Sequence, residues 1–77
     1  MATHTIQLSR KSLQANPLIR QAARKVEAAN TLFPDASDDR FGDAAGEAIE
    51  NCQRALGICG GPLADQTHET IMELAIG

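Results

Sequence analysis

Aromatic side chains are nearly missing from this chain. There is no Trp and no Tyr, and Phe33 and Phe41 are the two Phe residues. A core must therefore be assembled from aliphatic groups, and those are also few. Of 77 residues, 16 are Leu, Ile, Val or Phe, while 13 are Ala, which brings one methyl group to a contact. A chain of this length forms one small domain, residues 1–77, with little room for a deep catalytic cleft. A single core of this size supplies only about 3–5 kcal/mol, so small chains often add a staple or a partner subunit.

Other absences exclude whole classes. No apolar run approaches the roughly 18 residues of a membrane helix. Polar residues follow Met1 where a secretory signal would place an apolar stretch. With two Cys there is no disulfide scaffold. These features point to a soluble, cytoplasmic chain. A net charge of −3 argues against general nucleic-acid binding, which needs a strongly basic surface.

Acidic residues are missing from the first third. Residues 1–26 carry Arg10, Lys11, Arg20, Arg24 and Lys25 with no Asp or Glu, a charge of +5, against −8 for residues 27–77. A basic helix packed along an acidic one accounts for this split. An anion-binding face made from Arg20, Arg24, Lys25 and Arg40 is the sharper alternative.

What is present is helical punctuation. Residues 1–15 lack a sustained period and read as an extended arm, with Ser9 placed to cap a short turn through Ser12–Ala15. Asn16-Pro17 is a strong helix start, since Asn caps free N–H groups and Pro at the first position forfeits no bond. Leu18, Ile19, Ala22, Ala23, Val26, Ala29 and Phe33 follow at helical spacing, which predicts a helix over about 17–33. Pro34 ends it.

Asp35-Ala-Ser-Asp-Asp39 reads as a turn and cap. A second helix over about 38–56 carries Phe41, Ala44, Ala45, Ala48, Ile49, Cys52, Ala55 and Leu56 on one stripe. Gly42 and Gly46 interrupt it, each costing about 1 kcal/mol against Ala. Close approach of a neighbouring helix would offset that cost, so both are expected at a helix contact and Gly46→Leu is expected to overpack. Gly57, Gly60, Gly61 and Pro62 break the chain, and a third helix is predicted over about 63–76. On it, Ile71, Leu74 and Ala75 share a face with Ala64. A short turn makes the first two helices an antiparallel hairpin, with Arg20 near Cys52 and Lys25 near Glu47. The fold class is all-α.

No pattern supports catalysis. His68-Glu69 lacks the second His of a metalloprotease helix, because position 72 is Met. Gly57-Ile-Cys-Gly-Gly61 lacks the Lys and the preceding strand of a phosphate loop. Asp38, Asp39, Asp43 and Glu47 match no calcium loop and suit the positive end of a helix dipole. Cys52 and Cys59 are spaced too widely for a zinc knuckle; His4 and His68 lie far apart in sequence. The expectation is a protein without catalytic residues, cofactor or metal.

The segment Asp39–Leu56 resembles the second helix of small phage helical-hairpin proteins that sequester cyclic-oligonucleotide immune messengers. The resemblance lies in Arg40-Phe41, in Ile49-Glu50-Asn51 and in Ala55-Leu56 before a turn and Pro62, and covers about a quarter of the chain. It implies an oligomer that holds an anionic nucleotide between hairpins. The chain departs from that pattern in Gly42 and Gly46, in having no Trp and in its third helical segment. No ligand residue transfers.

Taken together, these residues describe a non-enzymatic helical binding protein, an oligomeric adaptor or an inhibitor of a larger protein. The alternatives are a sponge for an anionic nucleotide-like ligand and a small module using Cys52 and Cys59 for metal or redox chemistry. Self-association is expected because Leu13, Leu18, Leu32, Leu63, Ile71, Leu74 and Ile76 exceed what an Ala-rich hairpin can cover. The Cys pair is predicted to be reduced and metal-free. Elemental analysis should find no stoichiometric zinc, and both thiols should label in the denatured, unreduced protein.

Overall fold

Helix starts and stops written into the sequence set the architecture. In a computed structural model, which describes residues 10–77, four helices follow one another: α1 (Arg10–Ala15), α2 (Pro17–Leu32), α3 (Asp39–Leu56) and α4 (Pro62–Ala75). Among the described residues there is no strand. The fold is all-α, as the periodicity predicts.

Residues 10–15 correct the expectation of an extended arm over 1–15. They form α1, whose Leu13 is buried against the rest of the core. One large apolar group is enough to dock a six-residue helix that could not stand alone. The remainder of the expected arm, with His4 and the proposed cap Ser9, lies outside the described residues. Pro17 then forces a break, because it disfavours helical geometry at Asn16, which is extended at φ −69° and ψ 124°. The Asn16 side-chain oxygen accepts from the Leu18 N–H at 2.9 Å and restarts the chain as α2.

Asp38 caps α3 in the same way, accepting from the Arg40 N–H at 2.9 Å. At the other end the Gly57 N–H donates to Arg54 O at 3.1 Å and the Ile58 N–H to Gln53 O at 2.9 Å. This paired closure needs a left-handed residue, and Gly57 supplies it at φ 75°. Pro62 opens α4 without a side-chain cap.

α2 and α3 pack as the expected hairpin, and α4 lies along the other flank of α2. α1 sits across α4 and the start of α2, while α3 and α4 meet only sparingly. The core is a single cluster. Ile19, Val26 and Ile71 have no exposed surface, and Ala22, Ala23, Ala29, Ala45 and Ala48 fill the helix crossings around them. Small side chains let the axes approach closely, which is how an Ala-rich chain reaches dense packing. The Cys52 thiol joins α3 to the start of α2 by donating to Leu18 O at 3.5 Å. The Gln53 amide donates to Ala64 O at 2.9 Å and ties α3 to the first turn of α4.

The predicted stripes hold in their centres and fail at their edges. Leu18 and Ala55 are exposed, and Phe33 is half-buried. On α4 the buried face is Thr67, Thr70 and Ile71, and Leu74 is left outside. The Thr67 hydroxyl donates to Leu63 O at 2.7 Å and that of Thr70 to Gln66 O at 2.8 Å, so each enters the core with its polar atom paired.

The expected helix contact at Gly42 and Gly46 is not made among the described residues. Both glycines are exposed, and a Cβ at either position would meet nothing within 4 Å. Gly46 lines an open groove with Ala64, Asp65 and His68 of α4, too wide for a Cβ to touch its far side. Gly46→Ala should therefore raise stability by about 0.8–1 kcal/mol through helix propensity, and Gly46→Leu should be tolerated. Gly57→Ala should lower it by about 1–2 kcal/mol, because the left-handed cap penalises a Cβ. Urea denaturation followed by helical circular dichroism measures all three.

Candidate functional site

The four basic residues proposed for an anion do not form one site. Arg20 and Arg24 are one helical turn apart and share the α4-side flank of α2. There they line a shallow groove with Glu27 and Leu74, and a second one with Ala15, Pro17 and Gln21. Lys25 faces the opposite flank, in the cleft between α2 and α3.

Arg40 belongs to the hairpin turn. Its Nε donates to Asp38 Oδ1 at 3.1 Å and its Nη2 to Asp38 Oδ2 at 2.8 Å, a forked pair on the residue that caps α3. The guanidinium carbon lies 4.7 Å from the Phe33 ring centre, so the cation also covers one face of that ring. Arg40 thus holds the end of α2 to the start of α3. Asp35 builds the middle of the turn, accepting from the Ser37 N–H at 2.9 Å and from its hydroxyl at 2.7 Å. The Arg40 guanidinium, followed by the backbone N–H bond, holds the Asp38 carboxyl below its usual range. The Ser37 hydroxyl and N–H do the same for Asp35.

The expected alignment of a basic helix on an acidic one is present as geometry without ion pairing. Lys25 and Glu47 line the same cleft. The ion pairs among the described residues are local instead, Arg40–Asp38 and Arg54–Glu50, each at 2.8 Å. Exposed charges two or four residues apart find each other at lower entropic cost than charges on separate helices.

Cys52 and Cys59 are both free thiols, the first buried and the second exposed. Burial pushes the Cys52 thiol above its ordinary pKa and makes it a poor nucleophile. His68 is exposed on α4. Among the described residues no group of three or more His, Cys, Asp or Glu side chains is placed to hold a metal ion. No helix among them is long and apolar enough to cross a membrane.

The feature that sequence reasoning missed is the α2–α3 cleft itself, a groove of about 320 Å³. Ala29 and Ala48 form its floor, Ala28 and Ala44 its sides, and Leu32 and Phe33 one end. Leu32 stands at its lip with 72% of its surface exposed. The signal was Ala28, which extends the apolar stripe of α2 toward Leu32 and widens it beyond what one neighbouring helix covers. Compared with protein-family models, curated proteins and solved structures, the chain matches none.

The turn carboxylates carry a pH signature. Their pKa values lie below the ordinary 3.8 in the folded chain, so their stabilisation is fully present above that pH. It is lost as pH falls through the lowered values. Wild type should lose urea resistance from about pH 4 downward, and Asp35→Asn with Asp38→Asn should flatten part of that fall. Salt should reduce the difference, since both groups are exposed. Identical acid profiles would show that the turn contributes no proton linkage.

Proposed function

We propose that this chain is a non-enzymatic helical binding protein that works as an oligomeric adaptor or as an inhibitor of a larger protein. The α2–α3 groove carries the proposal. The chain buries Leu13 and Ile71 under α1 and α4, yet leaves an apolar cleft with Leu32 72% exposed at its lip. Exposed apolar clefts with charged rims are the usual receptors for a side chain from another helix. Arg20 and Arg24, on the far flank of α2, form a second, basic face for an acidic surface of the larger partner.

Photo-crosslinking from defined positions in cells tests this reading. A benzophenone side chain in place of Leu32 should give protein adducts, and one in place of Gln21 should capture a larger protein on the basic flank. The same group in place of Glu69 on α4 should give neither. Absence of any larger protein from both positions would remove the adaptor and inhibitor roles. Absence of all adducts from the Leu32 position would remove the groove as a binding face.

A second reading, a sponge for an anionic nucleotide-like ligand, is favoured by one observation. Arg20 and Arg24 lie side by side with Gln21, outside the described ion pairs. Calorimetric titration with a cyclic dinucleotide separates it from the first. Micromolar binding lost in Arg20→Ala with Arg24→Ala supports the sponge, and no heat up to millimolar ligand removes it.

A further inference from the structure

The α2–α3 groove has opposite charges on its two lips. Lys25 stands on the α2 lip and Glu47 on the α3 lip, lining one groove. Neither takes part in the ion pairs among the described residues. Both are exposed, so both are available to something outside the chain.

We propose that a second copy of this chain occupies the groove, docked about a twofold axis parallel to the hairpin. The proposal names the occupant of the groove described under the binding reading and rests on that reading. A rotation about such an axis lays α2 of each copy over α3 of the other and leaves every residue at its own level along the hairpin. Lys25 then lies opposite the partner's Glu47, and symmetry repeats the pair. The alternative twofold axis, across the helices, stacks α2 on α2. That would set the lip carrying Lys25 against its own image and the lip carrying Glu47 against its own, which like charges disfavour.

Shape agrees with charge. Ala29 and Ala48 leave the floor low enough to admit a branched side chain. Leu32 projects from the lip at the end where Ala44 lies on α3. Under the parallel axis, Leu32 of each copy is carried over the Ala44 end of the partner's groove. The area is modest. α3 has 18 residues, so two adjoining helices present a face roughly 27 Å long and 20 Å wide. Two copies then bury roughly 1,000 Å² in total, at the low end of specific interfaces. The dimer is therefore weak, exchanges at micromolar concentration and weakens with salt.

Sedimentation equilibrium of the whole chain at micromolar concentration and low salt is the test. Wild type should form a dimer. Lys25→Glu and Glu47→Lys should each raise the dissociation constant about tenfold or more, because each reversal creates like-charge contacts twice. The double reversal should return to within about threefold of wild type, since opposite charges face each other again. Leu32→Lys should give a monomer. All three positions carry exposed side chains, so helical circular dichroism should be unchanged and confirms that each variant folds. A wild-type monomer throughout the range would overturn the proposal. So would a dimer indifferent to both reversals, or a double variant that stays apart. An indifferent dimer places the copy on another face and leaves the groove free for a different protein, so the binding reading survives that outcome; it falls only if the Leu32 position also yields no adduct.

Discussion

The structure depends on burying α2 on two flanks at once. Ile19 and Val26 have no exposed surface because α3 closes one side of the helix and α4 the other. Neither flank alone would do this, since most of the neighbouring groups are single methyls. Ala contributes little per contact but lets helix axes come close, and dispersion grows steeply as gaps vanish. The chain thus trades large apolar groups for proximity. That trade makes the crossings tight in the centre of α2 and leaves them shallow toward Leu32.

The same constraint organises the surface. The α2–α3 crossing is too narrow to cover both Ala stripes, so their outer edges line an open groove. The charges were segregated in sequence, and the hairpin sets them face to face across that groove without pairing them. Arg40, the cation nearest the turn, is used internally: its fork on Asp38 and its cover over Phe33 join the cap of α3 to the end of α2. The proposed binding face is made from what the core leaves over. The comparison with known proteins adds no family on which to rest a role, so the reading stands on this surface alone.

Much of the fold was legible in the residues. Asn16-Pro17, Asp38, Gly57 and Pro62 act through local backbone chemistry, and each stands at a helix boundary. α1 was not legible, because six residues carry too little period and Leu13 becomes informative only when α4 is beside it. Thr67 and Thr70 were missed for a related reason. A hydroxyl enters a core once it bonds its own preceding turn, and composition counts it as polar. Gly42 and Gly46 misled in the opposite sense: their spacing suggests close helix contact, but a Cβ at either would meet nothing within 4 Å, and Gly46 faces an open groove beside α4.

The candidate site divides along the same line. Spacing alone determined that Arg20 and Arg24 share a helix face, and that Lys25 and Glu47 stand level in a hairpin closed by a short turn. These follow from the helical repeat and the position of the turn, which are local. Only the tertiary structure decided that Arg40 is engaged by Asp38 and Phe33, that Cys52 is buried while Cys59 is exposed, and that an Ala-lined groove opens beside Leu32. Those outcomes depend on how far apart two helices settle and how much of each stripe the third covers. Separation is set by the sum of all side chains at a crossing, and no single segment of sequence contains that sum.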